Sequence, residues 1–117
     1  MTKTLFVLND APYGSEGTYN ALRLAGALAR RENETVKLFL LGDAASSAKA
    51  GQNVPRGYYN VAAMLRAAAD QGAEIGVCGT CLDARGLTGA ELVPGAAAST
   101  LEQLTDWTVW ADKVLVF

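Results

Sequence analysis

Apolar residues follow two rhythms along this chain of 117 residues. Short unbroken runs rich in β-branched and aromatic residues read as strands: "KTLFVL" at 3–8, "TVKLFLL" at 35–41, "EIGV" at 74–77 and "KVLVF" at 113–117. Between them the apolar spacing lengthens to three and four, the period of a helix. From Thr18 to Arg31, the residues Ala21, Leu22, Ala25, Leu28 and Ala29 share one face, with Asn20, Arg23 and Arg30 off it. A second helix is expected from Tyr58 to Gln71, with Val61, Met64, Leu65 and Ala68 inward and Gly72 as its stop. Ser99 and Glu102 have the spacing of a capping box and open a last helix that runs to about Ala111. Its inner face carries Leu101, Leu104, Trp107, Thr108 and Ala111, and Trp110 falls toward the edge.

The intervening segments punctuate this pattern. "NDAPYGSEG" after the first strand is a turn, in which Ser15 or Thr18 is available to cap the following helix. Asp43 is placed to cap a helix of one or two turns that ends at Gly51, and Pro55 in "QNVPRG" prevents its continuation. "TGAELV" reads as a short turn or helix stopped by Pro94 and Gly95, and Ala96–Ala98 as a brief extended link. The strands are apolar throughout rather than alternating, as in strands buried on both faces. The expected fold is therefore α/β, a parallel sheet between two helical layers. In such sheets ligands collect at the carboxyl ends of the strands. Two loops lie there: the one after the first strand, and "VCGTCLDARG" directly after the third.

Composition narrows the possibilities. The length suits one domain over 1–117, and an apolar half with 19% charged residues argues against disorder. A net charge of −2 and a pI near 5.0 offer no footprint for nucleic acid or an anionic membrane. The first apolar run is too short for a signal peptide and no stretch approaches a membrane span, so the expected compartment is the reducing cytoplasm. There, a C-x-x-C is more often reactive or metal-binding than a permanent staple.

The two cysteines, Cys78 and Cys81, stand in a chain without histidine. A structural zinc site takes four ligands, and two thiolates with an oxygen from Asp83 leave it incomplete without a second copy. No metal and no cofactor is expected. "YGSEG" places Gly14 and Gly17 before a helix but matches neither phosphate-loop pattern; free backbone N–H groups there still suit an anion. The candidate substrate-binding residues are Asn9, Tyr13, Gly14 and Ser15 from that loop, with Gly79 and Thr80 from between the cysteines. Cys78, at the mouth of a strand-end crevice, is the candidate reactive thiolate. If "GTCLDARG" begins a helical turn, its N–H groups favour the charged sulfur; Arg85 would assist by charge and Asp83 would oppose. The bland alternative for Cys78 is a small buried residue that packs well. Cys81 is either a resolving thiol or filler. The candidate catalytic set is Cys78, Cys81 and Arg85.

"NDAPYGSEGTYNALRLAGAL", "GQNVPRGYYNVAAML", "GVCGTCLDARGL" and the terminal "ADKVLVF" resemble the DsrE/DsrF-like proteins, in particular their YchN-like branch, over nearly the whole chain. The resemblance implies a three-layer α/β/α sandwich around a five-stranded, mainly parallel sheet, assembled as trimers or hexamers. Four strands are clear from the pattern, so the fifth is expected between Leu92 and Ala98. Better-known relatives carry sulfur as a cysteine persulfide, and the position matching their active cysteine is Cys78. Arg85 and Gly86 match a basic residue and a glycine that follow it. Cys81 has no counterpart in the TusD-like relatives, whereas YchN-like chains have it, which leaves its role open. The resemblance thus implies a sulfur relay through Cys78, with donor and acceptor proteins as partners. Two alternatives stand beside it: a dithiol/disulfide redox protein, and a non-catalytic oligomeric module that binds a small ligand or a partner.

Overall fold

The computed structural model describes residues 1–117. Five strands, β1 (Thr2–Leu8), β2 (Glu34–Leu40), β3 (Glu74–Cys78), β4 (Ala96–Ser99) and β5 (Lys113–Val116), form one sheet in the order β4-β3-β2-β1-β5. Every pairing in it is parallel. Four helices connect them: α1 (Gly17–Ala29), α2 (Val61–Asp70), α3 (Gly79–Ala84) and α4 (Leu101–Trp110), with 3₁₀ turns at Gly42–Ala48 and Gly89–Glu91.

Strand order dictates how the layers fill. From β1 to β4 the chain steps outward one strand at a time, so right-handed crossovers put α1, α2 and α3 on one face. The connection from β4 to β5 returns across the sheet to the far side of β1, which carries α4 over the opposite face. Side-chain alternation agrees. Phe6, Leu8, Leu38, Leu40, Ile75 and Val77 enter a core of 21 buried residues with α1, α2 and α3. Leu5, Val7 and Phe39 point the other way and join Trp107 in a second core of only four buried residues, flanked by the partly buried Leu41, Cys78, Leu104 and Ala111. One face is thickly covered and the other thinly. Trp107 is the sole buried residue of α4, packing edge-on against Phe39 with centroids 6.0 Å apart. Beyond it, Leu101 and Val109 of α4 and Val114 and Val116 of β5 remain exposed.

The fifth strand, Ala96–Ser99, overlaps the expected stretch of Leu92 to Ala98 and runs one residue past it. It reaches β3 because Gly76 has no side chain: a Cβ there would sit 3.0 Å from the Phe39 ring and 3.3 Å from Ser99 Cβ. Five local expectations are corrected. Ser99 is spent as the last residue of β4, so Thr100 caps α4 instead, its hydroxyl accepting from the Gln103 N–H at 3.2 Å. Helix α2 begins at Val61 rather than Tyr58, because Asn60 caps it by accepting from the Ala63 N–H at 3.0 Å. Neither Ser15 nor Thr18 caps α1: the Thr18 hydroxyl donates to the Asp10 carbonyl, 2.8 Å away, and Ser15 donates to the Asp10 carboxylate. Asp43 caps nothing; Leu41 holds the N-cap position, and the Asp43 carboxylate is engaged by Arg85. Leu101 and Thr108, expected inward, are exposed, since α4 buries Trp107 alone against the sheet.

Candidate functional site

With all strands parallel, their carboxyl ends form one rim. Cys78 is both the last residue of β3 and the N-cap of α3. Alternation along β3 turns its side chain to the α4 face, where it packs beside the Phe39–Trp107 core. Three residues on, Cys81 in the first turn of α3 packs against the larger core. The tight strand-to-helix turn brings the two Cα atoms to 5.2 Å, and the sulfurs are joined as a disulfide across the end of the sheet. Both residues are half-buried.

Each sulfur has its own hydrogen-bond donor. Cys78 Sγ accepts from the Cys81 N–H at 3.3 Å and lies 3.3 Å from the Thr80 hydroxyl. Cys81 Sγ accepts from the Gly42 N–H, 3.2 Å away, at the end of the neighbouring strand β2. Donors aimed at sulfur favour its charged, nucleophilic form. Gly79 allows α3 to start so abruptly, since a Cβ there would lie 3.1 Å from the Ser99 carbonyl oxygen. Leu82, 1% exposed, anchors α3 in the core.

Arg85 is at this site but does not face a sulfur. Its Nη1 donates to the Cys81 carbonyl at 3.0 Å and its Nη2 to Asp43 Oδ1 at 2.6 Å, so its charge is matched by a carboxylate. Asp83 is exposed and takes part in no hydrogen bond or ion pair of its own side chain. The loop after β1 makes its contacts elsewhere. Tyr13 donates to Gln52 Oε1 at 2.5 Å and accepts from the Val61 N–H at 3.2 Å. Gly14 turns the chain there with φ of +99°. The Ser15 carbonyl accepts from Tyr59, whose ring stacks on Tyr19 with centroids 4.1 Å apart. Asn9 is bound to the Phe117 carbonyl through its backbone N–H and its Nδ2. Thus Cys78, Gly79, Thr80, Cys81 and Arg85 come together, whereas Tyr13, Gly14 and Ser15 join a separate lobe with residues 52–61. Gly42 and Asp43, which border the cysteine pair through Cys81 Sγ and Arg85, were not anticipated from the sequence. They follow β2 directly, and the strand-end rule applied to every strand would have included them. No group of three or more cysteine, aspartate or glutamate side chains converges anywhere in the fold.

The model of the DsrE/DsrF-like family matches residues 2–117. The chain belongs to that family. As a DsrE/DsrF-like protein it is 43% identical to the protein YchN of Escherichia coli over 118 aligned positions, covering all of both chains. It is also 40% identical over 111 positions to an uncharacterized protein of Methanopyrus kandleri, covering 95% of this chain and 90% of that one. The crystal structure of E. coli YchN superposes with a TM-score of 0.94 over the whole of both chains. A protein of Methanobacterium thermoautotrophicum, 12% identical, superposes over both full lengths with a TM-score of 0.76 and so shares the fold. No helix of this DsrE/DsrF-like chain is long and apolar enough to cross a membrane.

Proposed function

We propose that this protein is a cytoplasmic sulfur carrier that takes up sulfane sulfur as a persulfide on Cys78 and passes it on. The observation that carries the reading is the setting of Cys78: a half-buried sulfur at a strand end, met by an N–H and a hydroxyl, with a second thiol in bonding reach. Uptake is a displacement. The Cys78 thiolate attacks the outer sulfur of a donor persulfide, the donor S–S bond breaks, and the donor leaves as a thiolate. This needs no cofactor and no histidine. Passing the sulfur on is the same displacement in the other direction: an acceptor thiolate attacks the outer sulfur, the Cys78 S–S bond breaks, and Cys78 leaves as a thiolate. Cys81 supplies a discharge that competes with this transfer. Its thiolate attacks Cys78 Sγ, the bond from Cys78 Sγ to the outer sulfur breaks, and hydrosulfide leaves as the disulfide forms. An external dithiol then restores both thiols. The disulfide also supports the second reading, a dithiol/disulfide redox protein in which the same pair cycles without sulfane sulfur.

The thinly covered sheet face supports assembly. Val109, Val114 and Val116 are apolar and exposed together with Leu101, which suits burial between copies in a trimer or hexamer. Segments 11–17 and 51–59, held together through Tyr13, are the candidate walls that a neighbour would contribute beside each cysteine crevice.

Intact-mass measurement after exposure of the reduced protein to polysulfide tests the carrier. Wild type and Cys81→Ser are expected to gain sulfur that a reductant removes, with Cys81→Ser retaining it longer, and Cys78→Ser is expected to gain none. Equal loading of Cys78→Ser would refute the assignment. A two-thiol oxidation with no sulfur uptake on Cys81→Ser would select the redox reading. Sedimentation of the same samples reads the assembly, and a monomer at micromolar concentration would exclude the oligomer.

A further inference from the structure

Beside the cysteines, one interaction is not accounted for by sulfur uptake. Gly42 and Asp43 follow β2, and α3 follows β3, so two adjacent strand ends carry the two halves of a clamp. Gly42 gives its N–H to Cys81 Sγ. The next residue, Asp43, holds Arg85, and Arg85 donates in turn to the carbonyl of Cys81 itself. Cys81 is therefore held at its sulfur by Gly42, 39 positions upstream, and at its carbonyl by Arg85, which Asp43 in turn holds. The Cys78 sulfur takes its donors from its own turn, and its backbone is held by the pairing of Cys78 with Ser99 in β4.

We infer that the Asp43–Arg85 pair is a positioning device for Cys81, keeping its sulfur under the Gly42 N–H and in line with Cys78 for the resolving step. This rests on the proposed function in taking Cys78 as the entry thiol. When the disulfide is reduced, the Cys81 side chain is free to rotate about its own bonds. The Gly42 N–H and the Arg85 bridge restrict where the sulfur and its backbone sit, and a nucleophile already in place reacts faster than one that must search. The pair thereby sets how long a group stays on Cys78 before Cys81 displaces it.

Charge and position predict opposite signs, which makes the idea testable. Asp43→Ala removes a carboxylate and leaves Arg85 unpaired beside Cys81. Were the pair acting through charge, the thiolate would be favoured and the resolving step would speed up. The Asp43 side chain is 69% exposed, so solvent weakens that influence, and loss of position dominates. The step is expected to slow about tenfold, the rate equivalent of one lost contact to a charged group.

The reduced protein is mixed with excess dithiobis-nitrobenzoate and the coloured nitrothiolate is followed. In the first phase the Cys78 thiolate attacks one reagent sulfur, the reagent S–S bond breaks, and one nitrothiolate is released. In the second, Cys81 gives its proton to water and attacks Cys78 Sγ, the mixed disulfide breaks, and another nitrothiolate leaves. Cys81→Ser should release only the first. Asp43→Ala should keep the first phase within about twofold and slow the second about tenfold. Asp43→Glu should recover most of the second, and Asp43→Ala combined with Arg85→Ala should be no slower than Asp43→Ala alone. A second phase that is unchanged or faster in Asp43→Ala overturns the inference and leaves the carrier reading standing. A first phase that survives in Cys78→Ser and disappears in Cys81→Ser overturns both.

Discussion

Trp107 is the side chain on which the thin face of the sheet depends. Replacing it with alanine removes the one α4 residue buried against Leu5, Val7 and Phe39. Truncating a buried large aromatic costs about 3–5 kcal/mol, combining lost transfer energy with the cavity left behind. Lys37 adds to this, because its ammonium lies 5.0 Å from the Trp107 ring centroid, a contact worth about 0.5–1 kcal/mol. Part of that is kept, since the same ammonium lies 4.3 Å from Trp110. A net loss of about 3–5.5 kcal/mol is expected against a total of roughly 6–18 kcal/mol for a chain of this length. The melting temperature should fall by roughly 10–20 °C. Urea unfolding followed by far-ultraviolet circular dichroism, at fixed protein concentration and one redox state, measures it. Trp107→Phe should lose less than half as much, since an aromatic ring still meets Phe39. A loss below about 1.5 kcal/mol for Trp107→Ala would refute the reasoning and show that α4 is held by something other than this side chain.

Two further outcomes follow from close contacts. Gly76→Ala places a methyl 3.0 Å from the Phe39 ring, so overpacking of about 1–3 kcal/mol should outweigh the roughly 0.4–1 kcal/mol gained from a stiffer unfolded chain; a urea midpoint at or above wild type would contradict this. Asn60→Ala removes the α2 cap and should cost about 1 kcal/mol, with Asn60→Asp restoring most of it by the same denaturation assay.

Much of the fold was legible because parallel strands buried on both faces appear as unbroken apolar runs. β1, β2, β3 and β5 each have that form. β4 does not: "AAAS" has little preference for a strand, and its pairing is permitted by Gly76 on β3, about twenty residues upstream. Helix starts were misplaced where two caps competed. "STLEQ" contains Ser99 with Glu102 and Thr100 with Gln103 in overlapping register, and only the sheet, by claiming Ser99, decides between them. At the site, the C-x-x-C was visible as chemistry and its strand-end location followed from the "EIGV" run. The partner of Arg85 was not visible. Asp43 lies 42 residues away, and only the adjacency of β2 and β3 makes the two neighbours.

The position of β5 beside β1 has a consequence for synthesis. Lys3 exchanges hydrogen bonds with Asp112, 109 residues later, and Asn9 is tied to Phe117. On a ribosome β1 emerges before the other four strands, and its outer edge has no neighbour until the last of them appears. Between the synthesis of β1 and that of β5 the nascent chain therefore holds an open, apolar strand edge next to a face that α4 has not yet covered. That interval is when pairing between chains competes with folding within one. β5 closes that edge, and Asp112 and Phe117 are the residues that fasten it to β1.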